Sequence, residues 1–304
     1  MKRKAIVRIV VWSLIIVLLA AVIISAIAAS KNGLGGFQVG LGRFSLGYYR
    51  FGNSGEYQIG DFSADAGSVS EIEIEWLYGD VRVESYDGDS ISVSEDAGLD
   101  EDDMLRYRIH DGKISIKYRK SGFYYGSREK DLVVMVPNDA DLDELKVSAG
   151  VGELTAAGLS VAQLELEMVS GNAVLERISA SKLSTESVSG KISVTGSSFK
   201  EANVSCVSGE IDFLGTADEM AFECVSGEMS AAFEAPPSSI EIDAVNCDAE
   251  IFLPEGSGVA ASTDGISSRI SIYGVEAGSE YTYGDGYTRL KVDSVNSDVT
   301  VLAK

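Results

Sequence analysis

Between Leu164 and Phe233 the sequence repeats one pattern four times, and the first copy begins Leu164-Glu-Leu-Glu-Met-Val-Ser-Gly171. The glycine of the Val-Ser-Gly element recurs at positions 171, 190, 209 and 227, so the period is 19, 19 and 18 residues. A constant period of this size is typical of stacked repeat architectures. Each copy contains two short segments in which apolar and polar residues alternate, which indicates two β-strands. The stretch therefore predicts an all-β fold, a β-solenoid with two-strand rungs of about 19 residues.

Weaker copies extend the pattern on both sides. Residues 145–154 precede the four clear copies, and residues 240–251 follow them with asparagine in place of the Ser-Gly turn. Residues 263–272 form another weak copy, and residues 290–301 form the last one. We therefore assign residues 138–304 to regular rungs.

An uninterrupted apolar segment occupies residues 9–29, and four basic residues precede it: Lys2, Arg3, Lys4 and Arg8. About 20 apolar residues suffice for a helix to cross a bilayer. The basic residues place the tail 1–8 in the cytoplasm and the rest of the chain outside, so we expect a single-pass protein of the cell membrane. The alternative is a signal peptide cleaved after Ala26-Ile-Ala28, which resembles a small-residue cleavage site. No cysteine lies near this segment, which excludes a lipoprotein anchor.

Two different segments connect the predicted helix to the regular rungs. Residues 30–60 are rich in glycine and aromatic residues and are expected to form a flexible linker. Residues 61–304 form the expected ectodomain, and its first part, residues 61–137, contains irregular strands and a hairpin. The hairpin is predicted at Asp111-Gly112, a dipeptide typical of two-residue β-turns.

The charge excludes one class of partner. The chain carries 25 basic and 47 acidic residues, a formal net charge of −22. Nucleic acids and anionic lipid headgroups are bound through lysine and arginine contacts to phosphate. We therefore expect no nucleic-acid binding.

Several motifs resemble those of a known family. They are the repeated Val-Ser-Gly elements, Val134-Met-Val-Pro137, Gly284-Asp-Gly-Tyr287 and Leu290-Lys-Val-Asp-Ser-Val-Asn296. From Gly67 to the C-terminus the chain resembles the bacterial putative-adhesin β-repeat family of the DUF4097 type. The resemblance implies a β-repeat architecture without catalytic residues. It also implies a link to cell-envelope stress-response modules for members with one N-terminal membrane segment.

The residue types present do not suggest a catalytic or cofactor site. The only histidine, His110, lies beside the predicted hairpin turn. No Gly-x-Ser-x-Gly or dinucleotide-binding motif occurs, and histidine and cysteine are too few for a zinc site. The acidic run 95–103 lacks the spacing of a calcium loop and is expected to be a solvated loop. We therefore predict no catalytic, cofactor-binding or metal-binding residues.

Carboxylates are the one abundant functional group. Glu153, Glu210 and Glu228 follow the Ser-Gly turn at the same repeat position, where Asn172, Lys191 and Asp248 occupy the other rungs: these six residues form a predicted column. Stacked strands lie about 4.8 Å apart, so neighbouring members of this column face each other on the outside. A pair of carboxylates in a cleft is the arrangement of glycosidases. Weak binding of a divalent cation to this acidic face is a further alternative.

The three cysteines fall at inward or turn positions. Cys206 and Cys224 share one repeat position that points inward, whereas Cys247 follows the turn and has no partner in register. Stacked Cα atoms at this spacing are within disulfide range, and an exported protein is exposed to oxidation. We nevertheless expect buried free thiols that act as small apolar side chains.

These observations predict a non-enzymatic, membrane-anchored, extracytoplasmic scaffold that is adhesin-like or accessory to envelope sensing. Its expected partner is a protein or an envelope polymer. One alternative is a polysaccharide-active β-helix enzyme that uses outward carboxylates, which would need a groove with two facing carboxylates flanked by tryptophan or tyrosine. The other is an envelope protein that assembles end to end through exposed terminal rungs.

Overall fold

The computed structural model describes residues 56–119, 127–265 and 267–304. The predicted transmembrane segment 9–29 and most of the predicted linker lie outside these residues. Within the described ranges, no helix is both long and apolar enough to cross a membrane. Strands make up most of the described chain, so the expected all-β class is confirmed.

In the described residues, eighteen strands, numbered in chain order, form one continuous sheet. Their bounds are β1 (Gln58–Ile59), β2 (Phe62–Asp65), β3 (Glu71–Tyr78), β4 (Val81–Tyr86), β5 (Ser90–Glu95), β6 (Arg106–His110), β7 (Lys113–Lys117), β8 (Leu132–Pro137), β9 (Leu142–Ala157), β10 (Ser160–Glu176), β11 (Ser179–Phe233), β12 (Ser239–Leu253), β13 (Val259–Thr263), β14 (Arg269–Ile272), β15 (Val275–Ala277), β16 (Glu280–Tyr283), β17 (Thr288–Asn296) and β18 (Asp298–Ala303).

Each regular rung contains two strand segments that meet at a corner, which is Ser-Gly in the four clear copies of the repeat. In β10, Leu164 and Leu166 are buried before the corner, and Leu175 is buried after it. The next rung pairs in parallel at an offset of 19 residues, so that Leu164 lies opposite Leu183. The observed register thus equals the period of the sequence, and the predicted repeat is confirmed.

The core consists of inward side chains stacked in columns along the solenoid axis. One column contains Leu145, Leu164 and Leu183 from three successive rungs, and all three are fully buried. Phe213 and Phe233 stack in the same way, with ring centroids 5.3 Å apart. Because burial of one large apolar side chain contributes about 1.5–3 kcal/mol, the repeated columns supply the main stabilisation of the fold.

The order of the rungs in space differs from their order in the sequence at both ends. The rung of β3 and β4 pairs in parallel with β9 on one side and with β7 and β8 on the other. At the opposite end, β17 and β18 lie between β12 and the outermost rung of β13 and β14. Near the chain start, the inner rung of β3 and β4 therefore precedes the outermost rung of β7 and β8 in the chain, whereas at the other end the outermost rung of β13 and β14 precedes the inner rung of β17 and β18.

Short antiparallel strands cover both ends of the stack. At the end near the chain start, β6 pairs with β7 and β5 pairs with β8. At the other end, β16 pairs with β13 and β15 pairs with β14. An unpaired outermost strand would expose its backbone N–H and C=O groups to a second molecule. The antiparallel strands form hydrogen bonds with these groups instead.

The Ser-Gly corner requires glycine because the backbone of the preceding rung fills the space of a side chain. A Cβ atom at Gly171 would lie 1.9 Å from the carbonyl oxygen of Gly152, and one at Gly190 would lie 1.7 Å from that of Gly171. Both glycines also have φ near +130°, which other residues rarely adopt (Gly171 133°, Gly190 130°). The glycine column ends at Gly227, which faces Cys247 on the next rung.

Candidate functional site

A groove runs along the corner of the solenoid opposite to the Ser-Gly corner. Here the chain reverses through residues with left-handed backbone conformation: Gly158 (φ 70°), Arg177 (φ 53°) and Gly196 (φ 59°). The residues that follow are mostly small, and each of four successive rungs lines the groove with at least one hydroxyl-bearing residue: Ser160, Ser179 with Ser181, Ser198 and Thr216.

The groove has a volume of about 470 Å³ and extends from residues 140–143 to residues 216–218. Val161, Ala180 and Phe199 are buried in its floor. Charged side chains lie only towards the two ends: Asp141, Asp143, Lys200 and Asp218.

The hydroxyl groups of the groove are suited to ligands that also carry many hydroxyl groups. The Thr216 hydroxyl donates a hydrogen bond to the Ser198 hydroxyl of the adjacent rung, at 2.9 Å. A serine or threonine hydroxyl donates one hydrogen bond and accepts others. It can therefore either donate a hydrogen bond to a sugar hydroxyl or accept one from it. Sequence reasoning missed this site, although the 19-residue spacing of Ser160, Ser179 and Ser198 is visible in the sequence.

The predicted column after the Ser-Gly turn exists, and its side chains link the rungs to one another. Lys191 donates to Glu210 at 2.7 Å, and its backbone N–H donates to the Asn172 side chain at 3.2 Å. Hydrogen bonds to Asp212 and Glu210 raise the pKa of Lys191 to about 12. Glu153, Glu228 and Asp248 continue the same column. The column thus stabilises the stack through mutual contacts.

No metal site emerges from these carboxylates. In the part of the chain that the structure describes, no three histidine, cysteine, aspartate or glutamate side chains are arranged to hold a metal ion.

A second set of paired charges lies on the strand segments that precede the Ser-Gly corner. The Lys146 ammonium group donates to Glu165 at 2.5 Å and to Glu167 at 2.9 Å, and the Ser148 hydroxyl also donates to Glu167 at 2.9 Å. Burial lowers the pKa of Lys146, but the hydrogen bonds to the two glutamates outweigh it and raise the pKa overall. Burial and the charges of Glu167 and Glu165 raise the pKa of Glu186 on the next rung. This cluster also joins successive rungs.

His110 and the acidic loop do not form a catalytic arrangement. His110 is exposed at the end of β6 and contacts Asp111 at 2.9 Å. The expectation of a wholly solvated loop is wrong for Glu95, which accepts a hydrogen bond from the buried Lys130 at 2.5 Å. The side chains of Lys130 and Glu95 are 1% and 3% exposed, so the ammonium group requires a buried counter-charge. Its nitrogen also lies 4.7 Å from the centre of the Trp76 ring.

All three cysteines are buried free thiols, as the sequence predicts. Cys206 and Cys224 are stacked on successive rungs, with sulfur atoms 3.1 Å apart. As the sequence predicts, Cys247 has no cysteine in register: it lies opposite Gly227 on the neighbouring rung, and its thiol contacts the carbonyl oxygen of Asp248 at 3.6 Å.

Comparison with known proteins identifies a family for most of the chain. The sequence model of the family described as Toastrack DUF4097 matches residues 69–302. A comparison with curated proteins finds no match.

Solved structures of similar architecture cover most of this chain. A "putative lipid binding protein" from Parabacteroides distasonis is 17% identical with a TM-score of 0.53, over 82% of this chain and 98% of that chain. A "putative adhesin" from the same organism is 14% identical with a TM-score of 0.50, over 81% and 98%. A "putative adhesin" from Bacteroides fragilis is 9% identical with a TM-score of 0.48, over 81% and 97%. At these identities the first two structures support the fold alone.

Proposed function

Because the chain belongs to the Toastrack DUF4097 family, we propose that it is a non-enzymatic, adhesin-like scaffold that binds an envelope polymer outside the membrane. The observation that supports this proposal best is the groove, which crosses several rungs instead of lying within one. Solenoid proteins characteristically bind along such extended surfaces. A polymer placed along the axis meets a serine or threonine hydroxyl at each rung, from Ser160 to Thr216.

The net charge of the chain favours neutral over anionic envelope polymers as ligands. With a formal net charge of −22, the protein repels polyanions over the whole molecule. The groove itself offers hydroxyl groups along its length and charged groups only at its ends. The preferred ligand is therefore a neutral polysaccharide, whose hydroxyl groups exchange hydrogen bonds with those of the groove.

The scaffold is attached to the membrane by residues 9–29 in this proposal. The support comes from the sequence, since the segment is long enough to cross a bilayer and basic residues precede it. Its orientation leaves the tail 1–8 in the cytoplasm and the solenoid outside. Involvement in envelope sensing would follow from binding a polymer while tethered to the membrane.

Names of similar structures agree only in part with this function. The word adhesin in two of them is consistent with binding at a surface. Lipid binding, named in the third, would require an apolar cavity, whereas the groove described above is lined mainly by polar side chains.

Two alternatives receive less support. An enzyme would need two carboxylates facing each other in a cleft, but Glu210 is paired with Lys191 on an exposed column. End-to-end assembly would need open terminal rungs, but antiparallel strands cover the described ends of the stack.

The groove is tested by filling it with bulky side chains. Ser179 and Ser198 are exposed, so the double variant Ser179→Trp/Ser198→Trp blocks the groove without entering the core. Ser208→Trp, at the opposite corner, is the matched control. Co-sedimentation with insoluble neutral envelope polysaccharide should fall at least tenfold for the double variant and stay unchanged for the control. Equal binding by all three proteins would refute the groove as the binding site.

The orientation is tested on intact cells. External protease should digest the solenoid, while an N-terminal tag stays protected. A C-terminus that survives protease on intact cells, but not after lysis, would contradict the extracytoplasmic placement.

A further inference from the structure

Lys130 and Glu95 form a buried ion pair at the end of the stack near the chain start. The ammonium nitrogen of Lys130 lies 2.5 Å from Oε2 of Glu95, and the two side chains are 1% and 3% exposed. The residues are 35 positions apart in the sequence, so the pair joins the end of β5 to the segment that leads into β8. A lysine and a carboxylate in direct contact are also the two reactants of an amide bond.

The surrounding groups hold the side chain of Lys130 in one place. The Trp76 indole N–H donates to the carbonyl oxygen of Lys130 at 2.8 Å. The ammonium nitrogen lies 4.7 Å from the ring centres of both Trp76 and Tyr118, and it donates to the carbonyl oxygen of Asp103 at 2.7 Å. Well-oriented reactants reach effective concentrations of about 10⁵–10⁸ M, which favours a condensation that water opposes for free molecules.

The burial of the pair disfavours the charged forms of both groups. Removing an ammonium and a carboxylate from water costs free energy that can exceed their mutual attraction. Burial lowers the pKa of Lys130, against the opposing effect of its hydrogen bond to Glu95. An amide carries no charge and therefore avoids this cost.

The polar contacts of the pair suit the amide as well as the ion pair. Oε1 of Glu95 accepts a hydrogen bond from the backbone N–H of Leu105. This donor faces the oxygen that gains negative charge when an amine attacks the carboxyl carbon, as in an oxyanion hole. After condensation, Oε1 is the amide oxygen and keeps this donor, while the amide N–H keeps the carbonyl oxygen of Asp103 as its acceptor.

From this geometry we propose that Lys130 and Glu95 condense to an amide, an intramolecular isopeptide bond that links β5 to the start of β8. A proton passes from Nζ of Lys130 to Oε2 of Glu95 along their hydrogen bond, which leaves an amine and a carboxylic acid. The amine attacks Cδ of Glu95, and the bond from Cδ to Oε2 breaks. The nitrogen gives one further proton to the departing hydroxyl group, so one water is released and no other reactant is consumed.

The bond encloses β6 and β7 in a covalent loop at this end of the stack. A covalent link of this kind stabilises a fold mainly by restricting the unfolded chain. A second buried pair, Lys117 and Glu75, provides an internal comparison, with side chains 6% and 3% exposed. Its nitrogen and oxygen are 3.2 Å apart, and the Lys117 nitrogen lies 5.5 Å from the centre of the Tyr57 ring. Because this pair is held less closely, we expect it to remain ionic.

Peptide mass spectrometry of the full-length protein tests the bond. After unfolding and digestion with trypsin, residues 83–106 and 129–146 should be recovered as one linked peptide. Its mass should be one water less than the sum of its two parts. Trypsin should not cut after Lys130, because an acylated lysine is no longer a cleavage site.

Two double variants separate this bond from a general effect of buried charges. Lys130→Met/Glu95→Leu removes both charges together, so neither is left buried without its partner. Residues 83–106 should then be recovered unlinked, and the protein should melt several degrees below the wild type. The matched control Lys117→Met/Glu75→Leu should still yield the linked peptide.

The wild-type digest decides the proposal whether or not the variants fold. Cleavage after Lys130, with residues 83–106 recovered at their own mass, would overturn it. A linked peptide in which Lys130 is joined to a residue other than Glu95 would overturn it as well.

Discussion

Gly171, Gly190 and Gly209 stack at the corner of successive rungs, and each faces the carbonyl oxygen of its predecessor where a side chain would begin. The corner can therefore turn sharply while the rungs stay at β-sheet spacing. The repeated Val-Ser-Gly element is a direct consequence, because the close approach leaves no room for a Cβ atom at any of these corners, and Gly171 and Gly190 also have a positive φ.

Replacing Gly190 with alanine should destabilise the protein by several kcal/mol. The new methyl group would meet the Gly171 oxygen at 1.7 Å, and the positive φ alone costs about 1–3 kcal/mol for a residue other than glycine. Gly278→Ala is the matched control, since nothing lies within 4 Å of its added Cβ atom. Chemical denaturation of both variants measures the difference, and a similar loss in both would contradict the close-approach argument.

Tyr118 introduces a pH dependence into the rungs near the chain start. Its ring packs edge-on against Trp76 at 5.4 Å, and its buried hydroxyl donates to the carbonyl of Arg128. Burial, followed by the charge of Asp103, raises the pKa of Tyr118 to about 12 from an ordinary value of 10.0. The folded state therefore retains the phenol proton where the unfolded chain loses it.

This difference predicts a loss of stability in alkali. The contribution of Tyr118 is fully present below pH 10 and is lost as the pH rises through 12, with an upper limit of about 3 kcal/mol. Tyr118→Phe should flatten the fall of unfolding free energy between pH 10 and 12, while Tyr287→Phe, at an exposed ring, should leave it unchanged. Denaturant titrations at several pH values measure the free energy of unfolding of the wild type and both variants. The same dependence on pH in all three proteins would disprove the assignment of this effect to Tyr118.

At the scale of elements, local signals predicted the strands well. The Asp111-Gly112 turn joins β6 to β7, and both residues have positive φ (49° and 77°), as the hairpin requires. The 19-residue period gave the parallel register because each rung repeats the inward pattern of the one before it.

The order of the outer rungs was not predictable from those signals. An alternating segment specifies which face is buried, but not which neighbour lies above or below it. The pairing of β17 with both β12 and β13 therefore required the structure. For the same reason, the groove became apparent only when the structure placed Ser160 and Ser179 on one corner.

Whole-rung and partial-rung deletions test the register. Removing residues 191–209 joins Gly190 to Glu210 and recreates the Gly209-Glu210 junction, so every inward residue stays inward. Removing residues 191–199 instead turns buried side chains to water, at about 1.5–3 kcal/mol each against a typical stability of about 5–15 kcal/mol. Thermal unfolding followed by circular dichroism should show a modest loss for the first and collapse for the second. Equal damage by both deletions would contradict the stacked-rung register.

On the scale of the whole molecule, a repeated architecture with covered ends presents long surfaces of constant chemistry. The charged columns are largely occupied with one another, as in the contacts of Lys146 and Lys191. The groove between residues 140 and 218 differs, since its hydroxyl groups face outward along several rungs. Binding of an extended ligand is the activity that we propose for this arrangement.

Hydrogen–deuterium exchange of the full-length protein, with and without neutral envelope polysaccharide, tests that claim most directly. We expect exchange to slow together at residues 140–143, 160–162, 179–181 and 198–200, because one polymer covers the corner on all these rungs. The Ser-Gly corner at Gly171, Gly190 and Gly209 should exchange as in the free protein. Protection at that corner, or no protection along the groove, would contradict the account.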